Sequence, residues 1–261
     1  MEPVQAQGTL ARRLGKGAAI VVVFAALTYA LPALIDWINP PALVTPFGIH
    51  HYSWMFTFVV SGIALILLAM ALLRGMGPVT ALRELGFLPV AVRPIALGLA
   101  AVATMAAVLA LSHQPFGVDS VAGLIFLGIA GPVFEELLFR GFAFRGLRRW
   151  AGAPFWLAAL ISSLMFGAAH FGQGGTLTEN LMVMGIAAAG GVLFCWAAER
   201  WQSLWLGIAL HVGMNVVWEL FSVGNNAVGG LAGNVARGAA IAAAIGGTLV
   251  LTRRQSLASR A

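Results

Sequence analysis

Charge is what this sequence has least of. Only 9% of its 261 residues are Asp, Glu, Lys or Arg, against roughly a quarter in a soluble domain. Cysteine is nearly missing as well. The single Cys195 excludes an intrachain disulfide and any metal cluster built on several thiolates. No heptad or other repeat runs through the chain, and no composition shift marks off a soluble domain. What is there instead is hydrocarbon: 60% of the residues are hydrophobic and the mean hydropathy is +0.92. A chain this apolar reads as a multi-pass membrane protein. The formal charge of +6 does not point to nucleic acid, because the basic residues fall between apolar runs, where membrane topology accounts for them.

A membrane span needs about 20 apolar residues. Eight segments qualify, near 17–37, 54–73, 94–111, 120–144, 154–171, 181–199, 203–220 and 237–252. The first follows Arg12, Arg13 and Lys16, and at Gly17 to Ile35 it outruns a signal-peptide apolar region, so it reads as a span. Arginines then gather in alternate connections. Arg74, Arg83 and Arg93 follow span two, Arg145, Arg148 and Arg149 follow span four, and Arg200 follows span six. Loops 38–53, 112–119 and 172–180 hold no Lys or Arg, and 221–236 holds none before Arg237 at its margin. The positive-inside rule therefore predicts both termini in the cytoplasm. The expected fold is an all-α, polytopic transmembrane bundle of about eight spans forming one membrane domain over 1–261. Short 74–93 has room for a cytoplasmic helix. Gly238, Ala242 and Gly246, and likewise Gly185 and Ala189, are spaced by four and read as close-packing faces. His50 and His51, with His113 and Asp119, read as loop residues, and "GQGG" at 172–175 as a mobile lip.

Ionisable residues inside spans are costly, about 3 kcal/mol at mid-bilayer on the mildest scale. Asp36, Glu199, Glu219 and Arg237 stand near span ends and are expected to snorkel to the interface. Glu135, Glu136 and Arg140 in "GPVFEELLFRGF" lie deeper. Glu136 and Arg140 are four apart and can pair along one helix face. Glu135 is rotated about 100° from Glu136 and has no such local partner. Pro132, three residues earlier, is expected to kink or open the helix. Alone, this run also suits a structural ion pair with a bystander glutamate. His170 closes span five, four residues after Phe166, and His211 lies inside span seven, four residues before Asn215. A glutamate, two histidines and an asparagine from three helices can make a hydrolytic site: a base for water, a proton-transfer partner and an amide donor for an oxyanion.

"EELLFR" at 135–140, "FGAAH" at 166–170 and "HVGMN" at 211–215 resemble, in order, the EExxxR, FxxxH and HxxxN/D motifs of the CPBP family. This family comprises CAAX proteases and bacteriocin-processing intramembrane proteases, and the likeness covers a core at 120–220. The resemblance implies an intramembrane endopeptidase acting on a membrane-associated protein or peptide in the bilayer. In that reading Glu135 activates water, His170 assists, and His211 and Asn215 stabilise the oxyanion. Glu136 and Arg140 hold the motif together, with Phe166 in support. It also implies an integral, multi-pass protein of the bacterial cytoplasmic membrane.

The family was formerly called metalloprotease, and zinc bound by Glu135, His170 and His211 is the metal alternative. No HExxH is present, and a zinc held by Glu135 would leave the base role to Glu136, which Arg140 engages. The expectation is therefore no cofactor. The alternative function is a non-catalytic membrane scaffold or bacteriocin-immunity protein on the same fold. A solute transporter is the third class, but its two-half repeat is missing.

Overall fold

The computed structural model describes residues 4–38, 50–118, 120–221, 223 and 228–258. Each apolar segment of the sequence is a helix. In chain order these are α1 (residues 4–38), α2 (His50–Arg74), α3 (Pro78–Glu84), α4 (Val92–Leu111), α5 (Val121–Arg149), α6 (Phe155–Ala169), α7 (Leu177–Trp201), α8 (Trp205–Leu220) and α9 (Gly230–Ala258). The described residues form an all-α bundle of membrane-spanning type. Among the described residues six helices are long and apolar enough to cross a bilayer, whereas α6 and α8, of 15 and 16 residues, are shorter.

Helix α5 is the hub. Its second half packs on α1, α2 and α6, and its first half packs on α8. Phe134, Leu138 and Phe142 are buried there against Phe24, Met70 and Phe166. A second core joins α4, α8 and α9 around Met105, Leu109, Leu210 and Ala240. The site lies where the two cores meet.

α5 is not a uniform α-helix. Leu124–Ala130 and Glu136–Phe144 are π-helical, on either side of an α-helical turn, Gly131–Glu135. Such widened i→i+5 turns are rare and gather at functional sites. Their local cause is legible: Pro132 has no N–H to donate to the preceding turn. The Gly131 N–H reaches back to the Phe126 carbonyl, which leaves Leu127 without the donor Pro132 lacks. Asn215 Nδ2 supplies it from α8, at 3.1 Å. A helix-breaking residue on α5 thus leaves a free acceptor that fixes a polar side chain on α8.

Several expectations are corrected. Gly238, Ala242 and Gly246 do not form the packing face of α9; a Cβ added at Gly238 or Gly246 would meet nothing within 4 Å. The buried stripe is Ala236, Ala240 and Ala244, two positions away. On α7, Gly185 is likewise open, and Gly191 is the residue pressed against another helix, with Ser163 where its Cβ would be. The segment 172–175 is no loose lip. Asn180 Oδ1 accepts from Gly172 and Gly174, its Nδ2 donates to the Gly174 and Thr176 carbonyls, and Glu179 accepts from Gly175. Thr176 Oγ1 caps the start of α7 by accepting from the Glu179 N–H. His50 and His51 begin α2 rather than lying in a loop. His113 lies in the turn after α4, and Asp119 is outside the described residues.

Candidate active site

Glu136 opens the π-helical stretch and is sealed, with 1% of its side chain exposed. Its Oε1 accepts from Arg140 Nη1 at 3.0 Å and from His211 Nδ1 at 2.9 Å. A carboxylate only accepts, so the His211 proton on that side is on Nδ1. Nε2 is then the atom His211 turns toward Glu135, whose Oε2 is 3.6 Å away. That gap is too long for a direct hydrogen bond, and a water on the cavity side can reach both atoms. Glu135 has 31% of its side chain exposed, on the wall of a cavity of about 880 Å³. His211, Asn215 and His170 stand on the same wall.

Two adjacent glutamates therefore have opposite surroundings. The helix rotation between them aims Glu136 into protein and Glu135 into the cavity. Room for Glu136 comes from Gly207, one turn before His211 on α8, where a Cβ would lie 3.0 Å from Oε2. Arg140, also 1% exposed, gives Nη1 to Glu136, while its Nε and Nη2 find no hydrogen-bond acceptor among the described residues. Aromatic faces surround the guanidinium instead. Phe166 is 4.1 Å, Phe194 5.1 Å and Phe139 5.8 Å from it, ring centre to Cζ. A desolvated cation–π contact contributes about 2 kcal/mol, which offsets part of the cost of burying this charge.

The same rings set the histidines. Phe166 meets His170 edge-on at 4.5 Å and His211 at 5.9 Å, and Phe194 lies 5.6 Å from His211. His170 Nδ1 donates to the Phe166 carbonyl at 2.7 Å, so it too offers Nε2. Among the described residues, no hydrogen bond joins His170 directly to Glu135. Phe194 and Gly207 were missed in the sequence. Gly207 could have been found by its four-residue step from His211, whereas Phe194 carries no polar signal.

The donor set bears on the metal alternative. Among the described residues no three His, Cys, Asp or Glu side chains converge closely enough to hold an ion. Both histidines have Nδ1 fixed by an oxygen, an arrangement that orients Nε2 whatever it meets. Glu219 and Arg237, expected near span ends, both line the cavity.

Comparisons with known proteins match the same stretch of the chain. Residues 117–217, which contain all three motifs, match the family model described as Type II CAAX prenyl endopeptidase Rce1-like. The chain is 31% identical over 105 residues to "Putative membrane peptidase YdiL" of Bacillus subtilis (strain 168), a stretch covering 39% of each chain. It is 32% identical over 103 residues to "Uncharacterized 24.3 kDa protein" of Escherichia coli, covering 40% of this chain and 45% of that one. The chain thus spans less than half the length of these curated relatives. No solved structure matches.

Proposed function

We propose, on the premise that residues 117–217 form a CPBP-family membrane-peptidase core, that the protein is an intramembrane endopeptidase. It hydrolyses a peptide bond of a membrane-associated protein or peptide, and Glu135 is its base. One observation carries this reading. Of two adjacent glutamates, Glu136 is locked by Arg140 and His211, and Glu135 faces His211 Nε2 across 3.6 Å at a cavity wall.

The chemistry follows from that division. Glu135 takes a proton from a water held between it and His211, and the water oxygen adds to the scissile carbonyl carbon. Negative charge moves to the carbonyl oxygen. Asn215 holds Leu127 with its amide nitrogen and has a second N–H for that oxygen. His211, when Nε2 carries a proton, donates there too. His170, steadied by Phe166, assists proton movement from its place on the cavity wall. When the tetrahedral adduct collapses, the C–N bond breaks. The proton on Glu135 passes to the leaving amine, giving one new carboxylate and one new amine. Every step uses this chain's own side chains, and none is routed through a metal.

The bilayer is the working environment, and we place the protein in a bacterial cytoplasmic membrane with both termini cytoplasmic, on the arginine pattern. The test is cleavage by the purified chain and its Glu135→Gln variant. Loss of a general base lowers the rate by about 10²- to 10⁴-fold. A Glu135→Gln chain that retains its biological effect would favour the non-catalytic scaffold instead.

A further inference from the structure

Arg237 breaks the charge pattern of the chain. It stands at the margin of the fourth arginine-free connection, seven residues into α9. It lines the same cavity as Glu135 and His211, together with Trp218 and Asn234.

The guanidinium is seated with care. Its Cζ lies 4.8 Å from the Trp218 ring centre, and Nη1 donates to Asn234 Oδ1 at 3.3 Å. Both supports are themselves fixed. Asn234 Nδ2 donates to the Val228 and Gly230 carbonyls at the start of α9. The Trp218 ring rests on Gly229 and Gly233, where added Cβ atoms would lie 2.0 and 3.1 Å from it. No carboxylate among the described residues pairs with Arg237, although Glu219 lines the same cavity. A guanidinium has five N–H donors in a fork that matches a carboxylate. Among the described residues one of them is engaged, Nη1 by Asn234, and the guanidinium is pre-positioned on Trp218.

We propose that Arg237 is a specificity residue that receives a carboxylate of the substrate, either its C-terminal group or an Asp or Glu side chain. The inference rests on the peptidase reading. Trp218 is seven residues beyond His211 on α8, about 10 Å along the helix at 1.5 Å per residue. A short extended peptide bridges that distance, so one substrate segment can meet Arg237 and Glu135 together.

The experiment uses the full chain in detergent, carrying Glu135→Gln so that peptides are bound and not cut. It is offered a mixed pool of short apolar peptides in three forms: free C-terminal acid, C-terminal amide, and amide with one internal Glu. Retained peptides are counted by mass spectrometry. The expected result is about tenfold enrichment of an anionic form over the plain amide, the size of one charge-assisted hydrogen bond. Enrichment of the free acid identifies the C-terminal group, and enrichment of the internal Glu identifies a side chain. Arg237→Gln should bring the forms to parity, while Arg237→Lys keeps part of the preference and shows that the fold survives. Equal retention of all three forms, or a preference that persists in Arg237→Gln, would overturn the proposal. Cleavage of the same pool by the Glu135 chain is scored separately. Retention through Arg237 without cleavage removes the peptidase reading and leaves the carboxylate site; cleavage without charge preference does the reverse.

Discussion

Glu136 is bonded by both Arg140 and His211, so its loss and the loss of Glu135 should differ in kind. Glu136→Gln leaves a buried guanidinium without its counter-ion, which costs about 3–5 kcal/mol. Reversible unfolding in detergent should register that loss. Glu135→Gln touches a partly exposed group 3.6 Å from His211 Nε2, and should change stability by less than about 1 kcal/mol. Cleavage should nonetheless fall by at least about 100-fold. A similar stability loss in both variants would contradict the division between the two carboxylates. Gly207→Ala is a third case. Its Cβ would press on Glu136 Oε2, so it should mimic part of the Glu136 phenotype without removing a charge. Much of this was legible in the sequence, because residues four apart share a helix face. The pairing of Glu136 with Arg140, and the aim of Glu135 elsewhere, follow from that spacing. The bond from His211 to Glu136 does not, since 75 positions separate them and only the folded bundle brings them together. Phe194 was invisible for another reason: a phenylalanine in an apolar run does not announce that it stacks on a cation.

At the scale of helices, the coupling between Pro132 and Asn215 is open to test. Pro132→Ala restores an N–H that can serve the Leu127 carbonyl, which weakens the demand on Asn215. Asn215→Ala should therefore be less damaging in a Pro132→Ala background. A double-mutant cycle on stability should show coupling of about 0.5–1.5 kcal/mol; strict additivity would sink the idea. The faces of α9 give a second test. Ala240→Leu inserts bulk into a position that is completely buried and should destabilise by about 1–3 kcal/mol. Gly238→Ala meets open space and should be neutral, or stabilising by up to about 1 kcal/mol. Melting of both variants in the same detergent decides. Hydropathy located every apolar helix, but not which face of α9 packs. Small residues recur there at four-residue steps on two faces, Gly238–Ala242–Gly246 and Ala236–Ala240–Ala244. Composition cannot choose between them. The choice is made by what α4 offers, as where a Cβ on Gly247 would strike Leu97.

Across the whole molecule, the cavity is where two cores meet, and it exposes Glu135, Glu219 and Arg237 while Glu136 and Arg140 stay sealed behind it. Glu135 and His211 stand at one part of it and Arg237 at another. A chain that cuts by glutamate-activated water should keep its activity after exhaustive chelation, and should purify without stoichiometric zinc. Chelator-sensitive cleavage, restored by added zinc, would move the base role away from Glu135. The central claim is that peptide bonds in the membrane are broken through Glu135. The most direct measurement compares new N- and C-termini in the membrane proteome of cells expressing the wild-type chain or its Glu135→Gln variant at equal abundance. The account predicts a set of termini present with the wild type and missing with the variant. The same termini in both, at the same levels, would contradict it.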